Sequence, residues 1–129
     1  MTRSIARILC VDSSPRRLRE LTDALERAGF EVWTAFGASD AVCLASGLHF
    51  DVIAVDQVSA LARPEVWNCL AESYPKLPIL VHSGVSPVST LCRNSQVPSS
   101  DHEIVLALLL LLLSERTAAA IRKPQFIAA

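Results

Sequence analysis

Three residues pair a reactive side chain with a position where such a side chain can work. Asp12 follows the apolar run Ile8, Leu9, Val11; Asp56 ends the segment FDVIAVD; Ser83 follows PILVH. Each run is short, apolar and continuous rather than alternating, the pattern of a strand buried on both faces of a parallel sheet. Ligands of open α/β sheets bind at the C-terminal edge of the strands. An aspartate there is either a satisfied loop residue or the working carboxylate. Asp56 is the prime candidate: four apolar residues, Val52 to Val55, run without a break between two aspartates, and Asp56 falls at the C-terminal edge.

The elements that would bring these groups together can be read in order. Ala6 to Val11 reads as a first strand. Ser13, Ser14 and Pro15 then form a helix start, a serine cap with proline at the first helical position. The helix is predicted from Pro15 to about Ala28, with Leu18, Leu21, Leu25 and Ala28 on one face. Arg16, Arg17, Arg19, Glu20, Asp23, Glu26 and Arg27 read as its solvated face, and Gly29 as its stop. Glu31 to Ala35 is a second strand. Gly37 makes a turn, Ser39 caps a second helix and Gly47 closes it. After FDVIAVD a loop is expected to Arg63; Pro64 then opens a helix that Tyr74-Pro75 ends. Pro78 to His82 is the fourth strand.

Strands alternating with helices imply right-handed crossovers and a doubly wound parallel sheet with helices on both faces. Asp12, Asp56 and Ser83 must then gather along one edge despite their distance in sequence. Val81-His82-Ser83-Gly84 contains part of the hydrolase elbow G-x-S-x-G, but Val81 replaces the first glycine. Strand alternation also turns His82 away from Ser83, which argues against a hydrolase. His49 and His102 sit in no motif.

Composition sets further bounds. The chain has 129 residues, 51% of them hydrophobic, with a net charge of −1. That suits one domain with a real core, expected over residues 1–120 with a tail at 121–129, and lacks the basic footprint of a nucleic-acid binder. Cys10, Cys43, Cys69 and Cys92 form no C-x-x-C pair and are expected to be reduced and mostly buried, in a cytoplasmic protein. The N-terminus lacks the pattern of a signal peptide. The longest apolar run, Ile104 to Leu113, is about half of what a bilayer crossing needs.

The order of these pieces resembles the CheY-like receiver domain of two-component response regulators. ILCVDSSP, GFEVWTAFGASDAV, DVIAVD and KLPILVHSG carry the likeness, from about Ile5 to Gly84, and it resumes from Pro98. The resemblance implies a flavodoxin/CheY-like sheet of order 2-1-3-4-5 and a role in phosphorelay signalling rather than enzymology. It implies that Asp56 is the phospho-acceptor, that Asp12 is the first residue of an acidic pocket, and that Ser83 is the switch hydroxyl. It also implies that Asp12 and Asp56 would ligate Mg²⁺. The departures are specific. Ser13 stands where the family has a second metal-binding acid, and a serine hydroxyl is a poor ligand for a hard cation. Val97 stands at the conserved lysine before Pro98; Lys123-Pro124 comes after the last helix and reads as a chance match. Gln57-Val58-Ser59 follows Asp56 where the family carries Met-Pro.

The segment from Gly84 to Gln96 is serine-rich and barely long enough for a crossover helix. The helix after the fourth strand is therefore expected to be shortened or missing, with a rudimentary fifth strand around Ser95 to Val97. Ser100 to Glu103 is a capping box opening a helix that is apolar all round from Ile104 to Leu113. That helix is either more fully buried than usual or a homodimer interface. Two readings follow: a receiver with an impaired acceptor site acting as an interaction and dimerisation module, or one that still accepts a phosphoryl group at Asp56 with Mg²⁺ from a histidine kinase. Output is expected to pass through protein contacts, with neither nucleic acid nor membrane as partner.

Overall fold

The computed structural model describes residues 4–82 and 100–117. Elements follow in the order β1 (Arg7–Val11), α1 (Pro15–Arg27), β2 (Glu31–Ala35), α2 (Ala38–Gly47), β3 (Val52–Asp56), α3 (Gln57–Ala62), α4 (Pro64–Ser73), β4 (Ile79–His82) and α5 (Asp101–Thr117). The four strands form one parallel sheet in the order β2-β1-β3-β4. The expected fifth strand and the shortened crossover before it lie outside the described residues, as does the tail at 121–129.

The sheet is the middle of three layers. Leu9, Val11, Ile53, Val55, Ile79 and Val81 face α2, α3 and α4, where Ala41, Ala60, Trp67 and Leu70 meet them. Ile8, Cys10, Val52 and Ala54 face α1 and α5, against Leu18, Leu21, Leu25, Ile104 and Leu108. Every residue of β3 is buried, which is why its sequence is a continuous apolar run and not an alternating one.

Local chemistry sets the ends of α1. The Ser14 hydroxyl accepts the Arg17 N–H at 3.3 Å, and Pro15 fills the first helical position, where no donor is needed. Leu18, Leu21 and Leu25 share the buried face, each worth about 2 kcal/mol relative to exposure. Gly29 adopts φ 103°, a left-handed conformation that stops the helix and that other residues rarely take.

Three local expectations are corrected. The stretch after Asp56 is no loop. It is the short helix α3, capped by the Asp56 carboxylate, which accepts the Ser59 N–H at 3.2 Å. Six residues are too few to show a helical period, so only the cap could have announced it. The cap of α2 is Gly37, without a side-chain bond, and Ser39 lies inside the helix. Among the described cysteines only Cys10 is buried; Cys43 and Cys69 are exposed. Their helices turn those positions away from the sheet. No described helix is long and apolar enough to cross a membrane.

Candidate functional site

Sheet register assembles the acidic rim. Val11 pairs with Val55 across β1 and β3, so Asp12 and Asp56 leave neighbouring strands side by side at the C-terminal edge. Adjacent strands lie only about 4.8 Å apart. Both aspartates are 2% exposed. Ser13, the next residue after Asp12, is exposed. The rim therefore holds two buried carboxylates, while the position expected to carry a third faces solvent. Ser83 and Val97 lie outside the described residues.

A residue read from sequence as solvated surface completes the rim. Arg17 reaches back from the first turn of α1 and binds Asp12 through two nitrogens. Its Nε donates to Oδ2 at 3.2 Å and its Nη2 to Oδ1 at 3.0 Å. The Ser14 N–H donates to Oδ1 at 2.8 Å. Both Asp12 oxygens are thus engaged. The forked guanidinium suits a carboxylate in this way, and an ammonium does not. The hydrogen bond to Asp12, helped by the negative charge of Asp12 and Asp56, holds the Arg17 pKa above its usual value. Helix geometry permits this contact without requiring it. Helical side chains lean toward the N-terminus, and the third helical position of α1 lies over the strand end it follows.

Asp56 is less well provided for. Its Oδ2 takes the Ser59 N–H, while Oδ1 is buried without a hydrogen-bond partner among the described residues. Burial first, and the neighbouring Asp12 second among the upward causes, push its pKa up; hydrogen bonds from Ser59 and the charge of Arg17 act against them.

His82 is the second residue that sequence reasoning passed over. It pairs in register with Asp56, so the two side chains leave the sheet on the same side. It is 2% exposed, and neither ring nitrogen has a partner among the described residues. Burial pushes its pKa down to about 4, with Arg17 acting the same way and Asp12 against. Cys10 lies one strand position pair behind Asp12 on the same face, and burial, then Asp12, push its thiol up to about 12.

Solved structures share this framework. The chain superposes with a TM-score of 0.70 on the signal receiver domain of an HD domain-containing protein from Pseudomonas fluorescens Pf-5, at 18% identity over 94% of this chain and 96% of that one. For the chemotaxis response regulator CheY4 of Vibrio cholerae the TM-score is 0.61, at 22% identity over 84% of this chain and 99% of that one. The fold is that of a CheY-like receiver domain. A response regulator from Thermotoga maritima adds a further likeness at TM-score 0.65 and 16% identity, over 84% of this chain and 98% of that one. No protein-family model matches the chain, and no curated protein matches it.

Within a receiver fold the acidic rim is where Mg²⁺ would sit. The residues present do not fit it. Asp12 has both oxygens bound by Arg17 and the Ser14 N–H, Ser13 brings no carboxylate, and among the described residues of the rim Asp56 offers the one unpartnered carboxylate oxygen. Among the described residues no three His, Cys, Asp or Glu side chains gather so as to hold a metal ion. Divalent magnesium needs near-octahedral oxygen ligands, and a guanidinium already bound to one of the two carboxylates opposes its entry.

Proposed function

We propose that this chain is an atypical receiver of phosphorelay signalling that acts mainly as a protein-interaction and dimerisation module, with an impaired phospho-acceptor site at Asp56. The observation that carries this reading is the composition of the rim. Two buried carboxylates stand side by side in a receiver fold, Arg17 already binds one of them, and Ser13 faces solvent. Phosphoryl transfer depends on positioned positive charge where the transferred oxygens gather. Here Arg17, a cation at the rim among the described residues, is committed to Asp12. The module is not an enzyme; a histidine kinase or another signalling protein is its partner.

Helix α5 supports the interaction role. Ile104 and Leu108 are buried against the sheet and α1, while Leu106, Leu110 and Leu113 form an exposed stripe at spacings of four and three. Such a stripe suits a second copy of the chain. Three leucines cover well short of the roughly 800 Å² per partner of a stable interface, so the homodimer is weak and concentration-dependent.

A second reading, a phospho-accepting receiver using Asp56 and Mg²⁺, is favoured by one observation: Asp56 Oδ1 is buried and unpartnered. Beryllofluoride with Mg²⁺, a mimic of phospho-aspartate, separates the two. Trp67 is the reporter, since its indole Nε1 donates to the Ser59 carbonyl at 3.3 Å and the Asp56 carboxylate accepts the Ser59 N–H. The impaired reading expects no change in Trp67 emission at millimolar Mg²⁺. A saturable change that disappears in Asp56→Asn establishes the second reading instead.

A further inference from the structure

Two buried carboxylates on adjacent strands repel each other and need a positive charge between or beside them. In this chain α1 supplies it. Arg17 lies at the third position of α1, and Ser14, through its hydroxyl bond to the Arg17 N–H, fixes the turn from which that side chain departs. The guanidinium takes Asp12 in a two-pronged grip, and its field also reaches Asp56. Its side chain is 39% exposed and that of Asp12 3%. Arg17 therefore closes the rim from its solvent side. A hydrated divalent ion approaching from water meets the guanidinium before it meets Asp12.

We propose that Arg17 is the resident cation of the acidic rim: it fills the electrostatic role of a divalent ion and shuts the pocket to one. The proposal rests on reading the rim as a receiver-type acidic pocket, but it concerns cation access and not phosphoryl acceptance. Arg17 and the metal compete for the same Asp12 oxygens, so each binds at the expense of the other. The buried Asp56 Oδ1, which has no partner among the described residues, is the second observation. It marks the direction in which the rim remains unsatisfied after Arg17 has taken Asp12, and it is the oxygen a metal would gain once Arg17 leaves. Asp12 is thus a neutralised wall of the rim, and Asp56 its one incompletely bonded carboxylate.

The test uses the full chain and Mn²⁺, read by electron paramagnetic resonance of the free ion, with Mg²⁺ competition. Four proteins are compared: wild type, Arg17→Ala, Ser13→Asp, and Ser13→Asp with Arg17→Ala. Removing a unit positive charge in contact with the site is expected to tighten Mn²⁺ binding about tenfold or more, in the natural background and with Ser13→Asp alike. Arg17→Lys, which keeps the charge without the fork, is expected to fall between wild type and Arg17→Ala. Equal affinity of wild type and Arg17→Ala, or no gain from Arg17→Ala in the Ser13→Asp background, overturns the proposal. Should Arg17→Ala not fold, the wild type answers alone through the Arg17 Nε–H resonance. Its retention at millimolar Mg²⁺ supports Arg17 as the resident cation, and its collapse into the exchanging guanidinium signal refutes it. Phosphoryl uptake without Mn²⁺ binding would sink the impaired-site reading and leave Arg17 as the resident cation. Mn²⁺ binding by the wild type without beryllofluoride response would do the reverse.

Discussion

Breaking the Asp12–Arg17 pair should cost measurable stability, and its size can be argued from the structure. Asp12 is 2% exposed in the native fold, and Arg17→Ala takes away its guanidinium partner, leaving the Ser14 N–H at 2.8 Å as its remaining donor. Removing one partner of a fully buried ion pair costs about 3–5 kcal/mol, because the other charge is stranded. Arg17 is not fully buried; more than a third of its side chain meets water, which screens the pair. The Ser14 N–H also holds part of the Asp12 charge. A loss of about 1–2 kcal/mol follows, and helix propensity does not add to it, since alanine is the better helix former. Urea unfolding followed through the buried Trp67 gives the number. The double cycle with Asp12→Asn isolates the pairwise coupling, expected near 1 kcal/mol and reduced in high salt. A coupling within about 0.3 kcal/mol of zero would show that the contact is an ordinary surface pair, and the account of the rim would fail.

Four further outcomes are expected. His82 is buried neutral, so the unfolded chain takes up a proton below pH 6.5 while the folded one resists to about pH 4. Its contribution is whole above pH 6.5 and falls away as pH drops toward 4, by roughly 3 kcal/mol at most; His82→Phe should flatten that part of a urea-midpoint profile. Asp56 has the opposite sign, because its raised pKa makes the ionised form a burden at neutral pH. Asp56→Asn should therefore stabilise the fold at pH 7, and calorimetry showing a loss would contradict this. In the native protein iodoacetamide at pH 8 should label Cys43 and Cys69 and spare Cys10, whose thiol is pushed up to about 12; mass spectrometry decides. Leu110→Glu, at a site 66% exposed, should leave the fold intact and abolish concentration-dependent association in sedimentation.

The order of elements, the parallel sheet and the meeting of Asp12 with Asp56 were legible in the sequence. Continuous apolar runs mark strands covered on both faces, and strands that alternate with helices have few ways to pack. Once β1 and β3 are neighbours in register, the residues ending them must lie side by side, whatever their other contacts. Ser13 and Val97 stood out only as departures from the receiver pattern that the sequence resembles. Helix α3 was not, because its six residues owe their conformation to the Asp56 cap and to packing over Trp67 rather than to a period. Arg17 and His82 were not legible for a different reason. A charged residue in the first turn of an amphipathic helix looks the same in sequence whether it points to water or back over a strand end. A histidine closing an apolar run looks the same whether its ring is satisfied or stranded. Only the docking of α1 against β1 put the guanidinium on Asp12, and only the β3–β4 register set the imidazole beside Asp56. Charge balance in a buried site is a property of neighbours in space, and a linear pattern records which groups exist without recording which of them meet.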